Sequence, residues 1–536
     1  MGDKNQHKIF KAMEKPGFYP HPVQQIEIRD THISKVFLTG EYVYKVKKPL
    51  DLGFLDFSTL EKRRFYCDRE ISLNRRLTHD IYLDVVAITL NNDKYGLGKG
   101  GRTEEYAVRM RQLPHARSLQ QMIKARKITQ ADMADLGRQL AQFYMETPES
   151  KDLGVEAPWQ NVFDACNENF RQTKHFCNTL LDRETWETIQ GATISFLKGH
   201  RTHFIHRFNA GKFRDCHGDL RTGHVYFTDK GIQIIDCIEF NDRLRHIDVI
   251  NDLAFLLMDL DFHGEQGLGD CLLNAFLRQT DDTKAFLMMA LYKCYRAFVR
   301  CKVNCILLSS NELQAKETAT AKNHALKYLD LSYQYALQFS RPRIWVVCGM
   351  PATGKSTIAK ALAQILEIEP IRSDRVRKKI FGLKPHESGG EVFEEKIYSA
   401  SAGSLTYGKL LCLAQQEIAN GHSVILDATF SRAKHREHLI SLAKGKGIKP
   451  IFLECTAPEE TIKERLMGRE STPSISDARL DHFESFKARY EPFACDENAR
   501  HILVDTTLPL DKCIRQILIR AFRKEKNDPV QGGRYV

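Results

Sequence analysis

Two short stretches hold residue types that could handle phosphate. In CHGDLRTGHVYF, residues 216–227, Asp219 lies in a loop with His217 before it and His224 five residues after it. A carboxylate so placed can take a proton from a hydroxyl, and an imidazole can ligate a metal ion. Further on, in IIDCIEF, Asp236 follows Asp219 across the β-rich, hairpin-like stretch HVYFTDKGIQII. That spacing suits a base and a metal-binding carboxylate brought side by side at the ends of neighbouring strands.

The second stretch, GMPATGKST, fits Gly-x4-Gly-Lys-Ser/Thr with Gly349, Gly354, Lys355 and Ser356, and Thr357 follows. It succeeds the apolar run RIWVVCGM and opens the helical pattern KSTIAKALAQIL, so backbone N–H groups and a helix N-terminus converge on one anion. Lys355 then reaches the β and γ oxygens of a nucleotide and the Ser356 hydroxyl binds magnesium, which makes ATP and Mg2+ the expected cofactors. Asp427 ends the strand in SVILDATF, where it can hold the ion directly or through water. Asp374, in IRSDRVRKKIF, is either a helix cap or a base for a substrate hydroxyl, with Arg377 one turn on to anchor an acidic substrate. Arg465 and Arg469 stand at i and i+4 before a Ser/Pro loop and a further helix capped at Ser476 or Asp477. They form either a solvated face or a lid over the nucleotide.

Positioning these groups needs more than one core. A chain of 536 residues exceeds the roughly 250–300 at which a single core stops growing. Residues 33–48 read as a hairpin with TGE at its turn, and Ser58 begins a helix that runs to Leu77. DVVAITL and EYAVRMRQLP read as further strands, and residues 116–210 and 247–338 as mostly helical. The pattern changes after RPR at 341–343, where short apolar strands alternate with helices, the signature of a parallel α/β layer. The expected domains are 1–340, 341–525 and a frayed tail, 526–536. Lys45 lies on a strand and Glu70 on the next helix. Alone, Lys45, Lys47 and Lys48 read as a solvated strand edge; in order with Glu70, Asp219 and Asp236 they read as a set in which a lysine holds the α and β phosphates, a glutamate orients it, and two acids serve chemistry and metal.

Over about residues 30–310 the sequence resembles the aminoglycoside phosphotransferase family, most tellingly in IDCIEFNDRLRHIDVINDLAFLLMDL. Over about 343–523 it resembles the small P-loop kinases related to polynucleotide kinase, zeta-toxin and gluconate kinase, of the AAA_33 type. The whole chain resembles two-part bacterial proteins that join such a kinase to a P-loop ATP-binding domain. These resemblances imply an α+β kinase-like N-terminal fold, an α/β P-loop domain with a parallel sheet, and phosphoryl transfer from ATP to a hydroxyl. The departure is His224, where the family usually has a magnesium-binding Asn. Neutral imidazole prefers softer ions, so a second magnesium should be held less well, and Arg221 or His217 could restore positive charge near the phosphates.

Three readings of the first half follow: an active kinase, a nucleotide-binding pseudokinase that regulates its neighbour, or a kinase using another metal. For the chain they give a double phosphotransferase acting on a small molecule, a sensor joined to a P-loop kinase, or a P-loop polynucleotide-end kinase. A net charge of +11, from 79 basic and 68 acidic residues, permits nucleic acid without favouring it. No apolar run predicts a secretion signal or membrane span, and 14 scattered cysteines suit a reducing cytoplasm.

Overall fold

In the computed structural model the chain divides into two compact units: Met1–Asp281 with Leu291–Ala336, and Asp282–Ala290 with Leu337–Val536. The structure describes residues 2–53, 55–98, 100–309, 314–383, 399–468, 479–494, 496 and 498–522. Arg469, the expected caps Ser476 and Asp477, and the expected tail lie outside them.

The first unit opens with the helix Gly2–Met13, followed by a six-stranded antiparallel sheet made of β1 (Glu27–Asp30), β2 (Ser34–Leu38), β3 (Tyr42–Lys47), β4 (Tyr82–Asn91), β5 (Lys94–Leu97) and β6 (Arg102–Arg111), in the order β1-β2-β3-β6-β4-β5. The predicted hairpin is β2–β3, in register with Val36 opposite Lys45. The helix Leu60–Asn74 follows. Its cap is Thr59, which accepts from the Lys62 N–H, because the expected cap, Ser58, spends its hydroxyl on Asp56. Cys67 and Ile71 of that helix pack with Val43, Val108 and Met110 of the sheet. Lys45, on β3, and Glu70, on the helix, are thereby held against each other.

Helices form the rest of this unit, with four short strands set among them: β7 (Phe213–Asp215), β8 (Val225–Thr228), β9 (Gly231–Ile234) and β10 (His246–Asp248). β7 pairs with β10, and β8 with β9. The loop bearing Asp219 joins β7 to β8, and Asp236 lies just past β9. The helix Val249–Phe262 is buried along nearly its whole length, which explains why its sequence shows so little amphipathic alternation.

The second unit is a five-stranded, wholly parallel sheet of β11 (Ile344–Cys348), β12 (Ile371–Arg372), β13 (Val424–Asp427), β14 (Ile451–Thr456) and β15 (Arg500–Asp505), ordered β12-β13-β11-β14-β15. All five lie in stretches the sequence marks as strands, four of them apolar runs and β12 only Ile371–Arg372 within EPIRSD. β11 is buried at every residue, as a central strand covered on both faces must be. Val347 of β11 lies opposite Asp427 of β13, so the strand order itself sets the acid beside the glycine-rich loop. Among the described residues no helix is long and apolar enough to cross a membrane.

Candidate active sites

In the second unit the loop after β11 turns on Gly349, whose φ is 128°. A Cβ there would lie 2.4 Å from the Cys455 carbonyl oxygen, so both the backbone angle and the close approach require glycine. Gly354, at φ 84°, leads into the helix Lys355–Leu366. The Lys355 ammonium donates to the Met350 carbonyl at 2.6 Å and so curls over its own loop. Ser356 Oγ donates to Asp427 Oδ2 at 2.8 Å, while Arg372 approaches the same carboxylate at 3.2 Å. Burial raises the Asp427 pKa against the pull of Lys355, Ser356 and Arg372. A hydroxyl and a carboxylate in contact are hard oxygen donors, so the pair fits magnesium.

Asp374 and Arg377 form an ion pair at 3.0 Å. Asp374 is the second residue of its helix, Ser373–Ile380, and not its cap. Both line a cavity of about 460 Å³ whose wall also holds Lys355, Ser356 and Asp427 but not Thr357, which is exposed one residue further on. Arg465 stands elsewhere: it donates to Ala352 O at 3.4 Å, Thr506 Oγ1 at 3.1 Å and Thr506 O at 2.9 Å, bracing the phosphate loop. Sequence reasoning missed Arg372, Arg432, Lys434 and Arg489, all on the cavity wall. Their signal was position, since Arg432 and Lys434 follow β13 closely and ligands gather beyond the carboxyl ends of parallel strands.

In the first unit Lys45 reaches Glu70 Oε1 at 2.9 Å and Asp236 Oδ1 at 2.6 Å. Burial works against its charge, yet Asp236 and Glu70 raise its pKa well above the usual lysine value. Lys47 is no solvated edge: it is fully buried and paired with the other oxygen of Glu70 at 2.7 Å and with Glu239. Glu70 thus bridges two lysines two residues apart on one strand face. Lys47 and Glu239 were also missed, and Lys47's same-face spacing from Lys45 was the available signal. Asp236 has φ 66°, a left-handed conformation that non-glycine residues seldom keep without a surrounding structure that imposes it.

The loop before it is held from beneath. Asp252 accepts from the backbone N–H of His217 at 2.8 Å and of Gly218 at 2.9 Å. Gly218 has φ 89°, and a Cβ there would meet Leu244 O at 2.9 Å. His217 contacts Ile235 O through Nε2 at 2.9 Å and the Asp219 N–H through Nδ1 at 3.2 Å, so its ring braces the loop instead of adding charge near phosphates. Asp219 accepts two bonds from Arg221, each 2.9 Å. Burial would raise its pKa, but Arg221 and His224 lower it to about 2.

His224 stands between the two acids, 3.6 Å from a carboxylate oxygen of each. Its Nε2 faces Arg221 Nη2 at 3.0 Å. A guanidinium only donates, so Nε2 accepts, and the ring proton lies on Nδ1, which donates to the Asp219 carbonyl at 2.9 Å. Burial, and then Arg221, push the His224 pKa down to about 4. Asp236 fits a magnesium ion; His224, with its lone pair engaged, does not complete a second site.

Sheet order, phosphate loop and acid pairs define a kinase-like unit followed by a P-loop kinase-type unit, a nucleotide-binding phosphotransferase in class. The AAA_33 family model, described as AAA domain, matches residues 344–493. The chain is 30% identical over 501 residues to the uncharacterized protein Rv2004c of Mycobacterium tuberculosis, covering 92% of this chain and 96% of that one; it belongs to the same family. Among solved structures, choline kinase from Cryptosporidium parvum covers 62% of this chain and 95% of its own, with 10% identity and a TM-score of 0.39. A sugar kinase from Janibacter covers 34% and 95%, with 20% identity and a TM-score of 0.27. These two are likenesses of fold alone.

Proposed function

We propose that the chain is a cytoplasmic, ATP-dependent phosphotransferase with two nucleotide-binding domains, 1–340 and 341–525. In this reading the second domain phosphorylates a hydroxyl of a small molecule that carries an anionic group. The observation that carries it is a cavity in which Lys355, Ser356 and Asp427 share a wall with the Asp374–Arg377 pair. The acceptor oxygen forms a bond to the γ-phosphorus, the bond to the β–γ bridging oxygen breaks, ADP leaves, and Asp374 takes the hydroxyl proton. Ser356 and Asp427 would hold a magnesium ion, which would neutralise part of the phosphate charge. Lys355 releases Met350 O to meet the phosphates. Arg377, Arg432 and Lys434 favour an acceptor that is itself an anion, because six cations and only two acids line the cavity.

In the first domain Lys45, oriented by Glu70, would hold the α and β phosphates, with Asp219 as base and Asp236 at the metal. A sensor role is the second reading, favoured by one observation: both oxygens of Asp219 are engaged by Arg221, which leaves the base unready until that contact opens.

Incubating the purified chain with labelled ATP and panels of sugar acids, sugar phosphates and neutral polyols tests the main reading. Label should pass to an anionic polyol, and transfer confined to neutral ones would refute the acceptor class. Lys355→Ala should abolish this transfer. If Lys45→Ala removes a nucleotide site yet leaves all phosphotransfer intact, the first domain is the sensor. A steep loss of acceptor binding between low and moderate salt would point to a nucleic-acid end instead.

A further inference from the structure

We propose that Arg221 stands in for a second divalent ion in the first unit, so that this site works with one ion, at Asp236, for each nucleotide. The inference rests on the reading of that unit as a nucleotide site.

Three contacts lead to it. The guanidinium grips both oxygens of Asp219, at 2.9 Å each, which are the oxygens an ion shared between the two acids would need. Its Nη2 also occupies the His224 Nε2 at 3.0 Å, the only ring nitrogen with a lone pair to offer. The opposite nitrogen is tied to the Asp219 carbonyl at 2.9 Å, so the ring cannot turn to present another lone pair without losing that bond. A divalent ion entering this gap would meet a fixed positive charge a few ångströms away, and the two repel strongly in a partly buried setting where water screens them little.

Asp236 differs in its surroundings. Lys45 engages its Oδ1, while Oδ2 meets only the distant His224 nitrogen at 3.6 Å. Its side chain is 44% exposed against 27% for Asp219 and 13% for His224, so it is the acid an arriving ion reaches first. Arginine suits the substitution because it keeps its charge at all working pH values and carries five donors in a fixed fork. Two of its nitrogens hold the acid and the imidazole. No contact engages Nη1 among the described residues, and it is left to donate to a phosphate oxygen.

The test counts ions against nucleotides on the full chain. Mn2+ is titrated by electron paramagnetic resonance in the presence of a saturating, non-hydrolysable ATP analogue, and bound analogue is counted in parallel. The wild-type chain should hold two analogues and two Mn2+ ions, and Arg221→Gln combined with His224→Asn, with the analogue raised until two are again bound, should hold three ions. Three ions on two analogues in the wild type would overturn the proposal whether or not the double variant folds. So would a folded double variant, still holding two analogues, that gains no ion. A wild-type count of one analogue per chain would instead remove the nucleotide site beneath the proposal, and the proposal with it.

Discussion

Replacing Lys47 by Met tests the first unit's charge network in its most enclosed part. Lys47 is fully buried and shared by Glu70 and Glu239, and its ammonium lies 4.9 Å from the centre of the Phe57 ring. After the change Glu70 keeps Lys45, but Glu239 loses its closest cation. The cheapest response is for Glu239, whose pKa burial already raises, to take up a proton. At pH 7 that costs about 1.4 kcal/mol for each of the roughly 2.7 units separating the pH from glutamate's ordinary pKa, close to 4 kcal/mol. This falls within the ~3–5 kcal/mol known for breaking a buried pair. At pH 5 the same uptake costs only about 1 kcal/mol. The sign follows from linkage: a glutamate whose folded pKa exceeds its unfolded one stabilises the fold at low pH and loses that contribution as pH rises. Urea titration with fluorescence detection can follow this unit, which holds Trp159 and Trp186 while Trp345 reports the other. With m near ~2 kcal/mol/M, the first unit's midpoint should drop by about 2 M at pH 7 and about 0.5 M at pH 5. A drop independent of pH, or one under about 0.5 M at pH 7, would refute the coupled buried network.

Three further outcomes are expected. Gly349→Ala should abolish nucleotide binding by the second unit and lower its stability by about 1–3 kcal/mol, since the new Cβ would sit 2.4 Å from Cys455 O; calorimetry with an ATP analogue checks both. The His224 ring should titrate near 4, and not near 6.5, in long-range nitrogen–proton NMR spectra. Because its folded pKa is depressed, its contribution to stability is full above about 6.5 and fades as pH falls towards 4. Lys434→Gln should raise KM for an anionic acceptor about tenfold while sparing kcat, the mark of lost uniform binding; an unchanged KM would remove Lys434 from the acceptor site.

Features with short spacing were legible in the sequence. The phosphate loop, its strand and its helix lie within one continuous run, and four of the five parallel strands announced themselves by apolar residues bounded by turns, β12 being only Ile371–Arg372. β1 did not, because every one of its four residues is exposed and it shows no alternation to read. Contacts made across the chain were also hidden: Lys45 meets Asp236 from 191 residues away, and Lys47 meets Glu239 from 192. The order of residues suggested Lys45 with Glu70, since a phosphate-binding lysine needs an orienting acid, and put Asp236 in the same set as a metal ligand without pairing it to the lysine. For Lys47 the order offered only its spacing of two from Lys45, which puts both on one strand face; that it is buried could not be read, because burial of a charge is decided by what the fold packs over it.

His224, standing where the resemblance leads one to expect an asparagine, shows why one residue cannot be judged without its neighbours. Taken alone, it removes an oxygen ligand and weakens an ion site, which reads as decay. Taken with Arg221, it is a change of partner: an amide oxygen would accept from a guanidinium as readily as it ligates an ion, whereas this imidazole, its proton fixed on Nδ1, presents one lone pair, which the guanidinium fills. The positive charge near Asp219 is then supplied by the chain and not by solution. A site that had merely decayed would have no reason to keep the acid, the arginine and the ring in mutual contact, with Asp252 holding the loop beneath them through two backbone N–H groups.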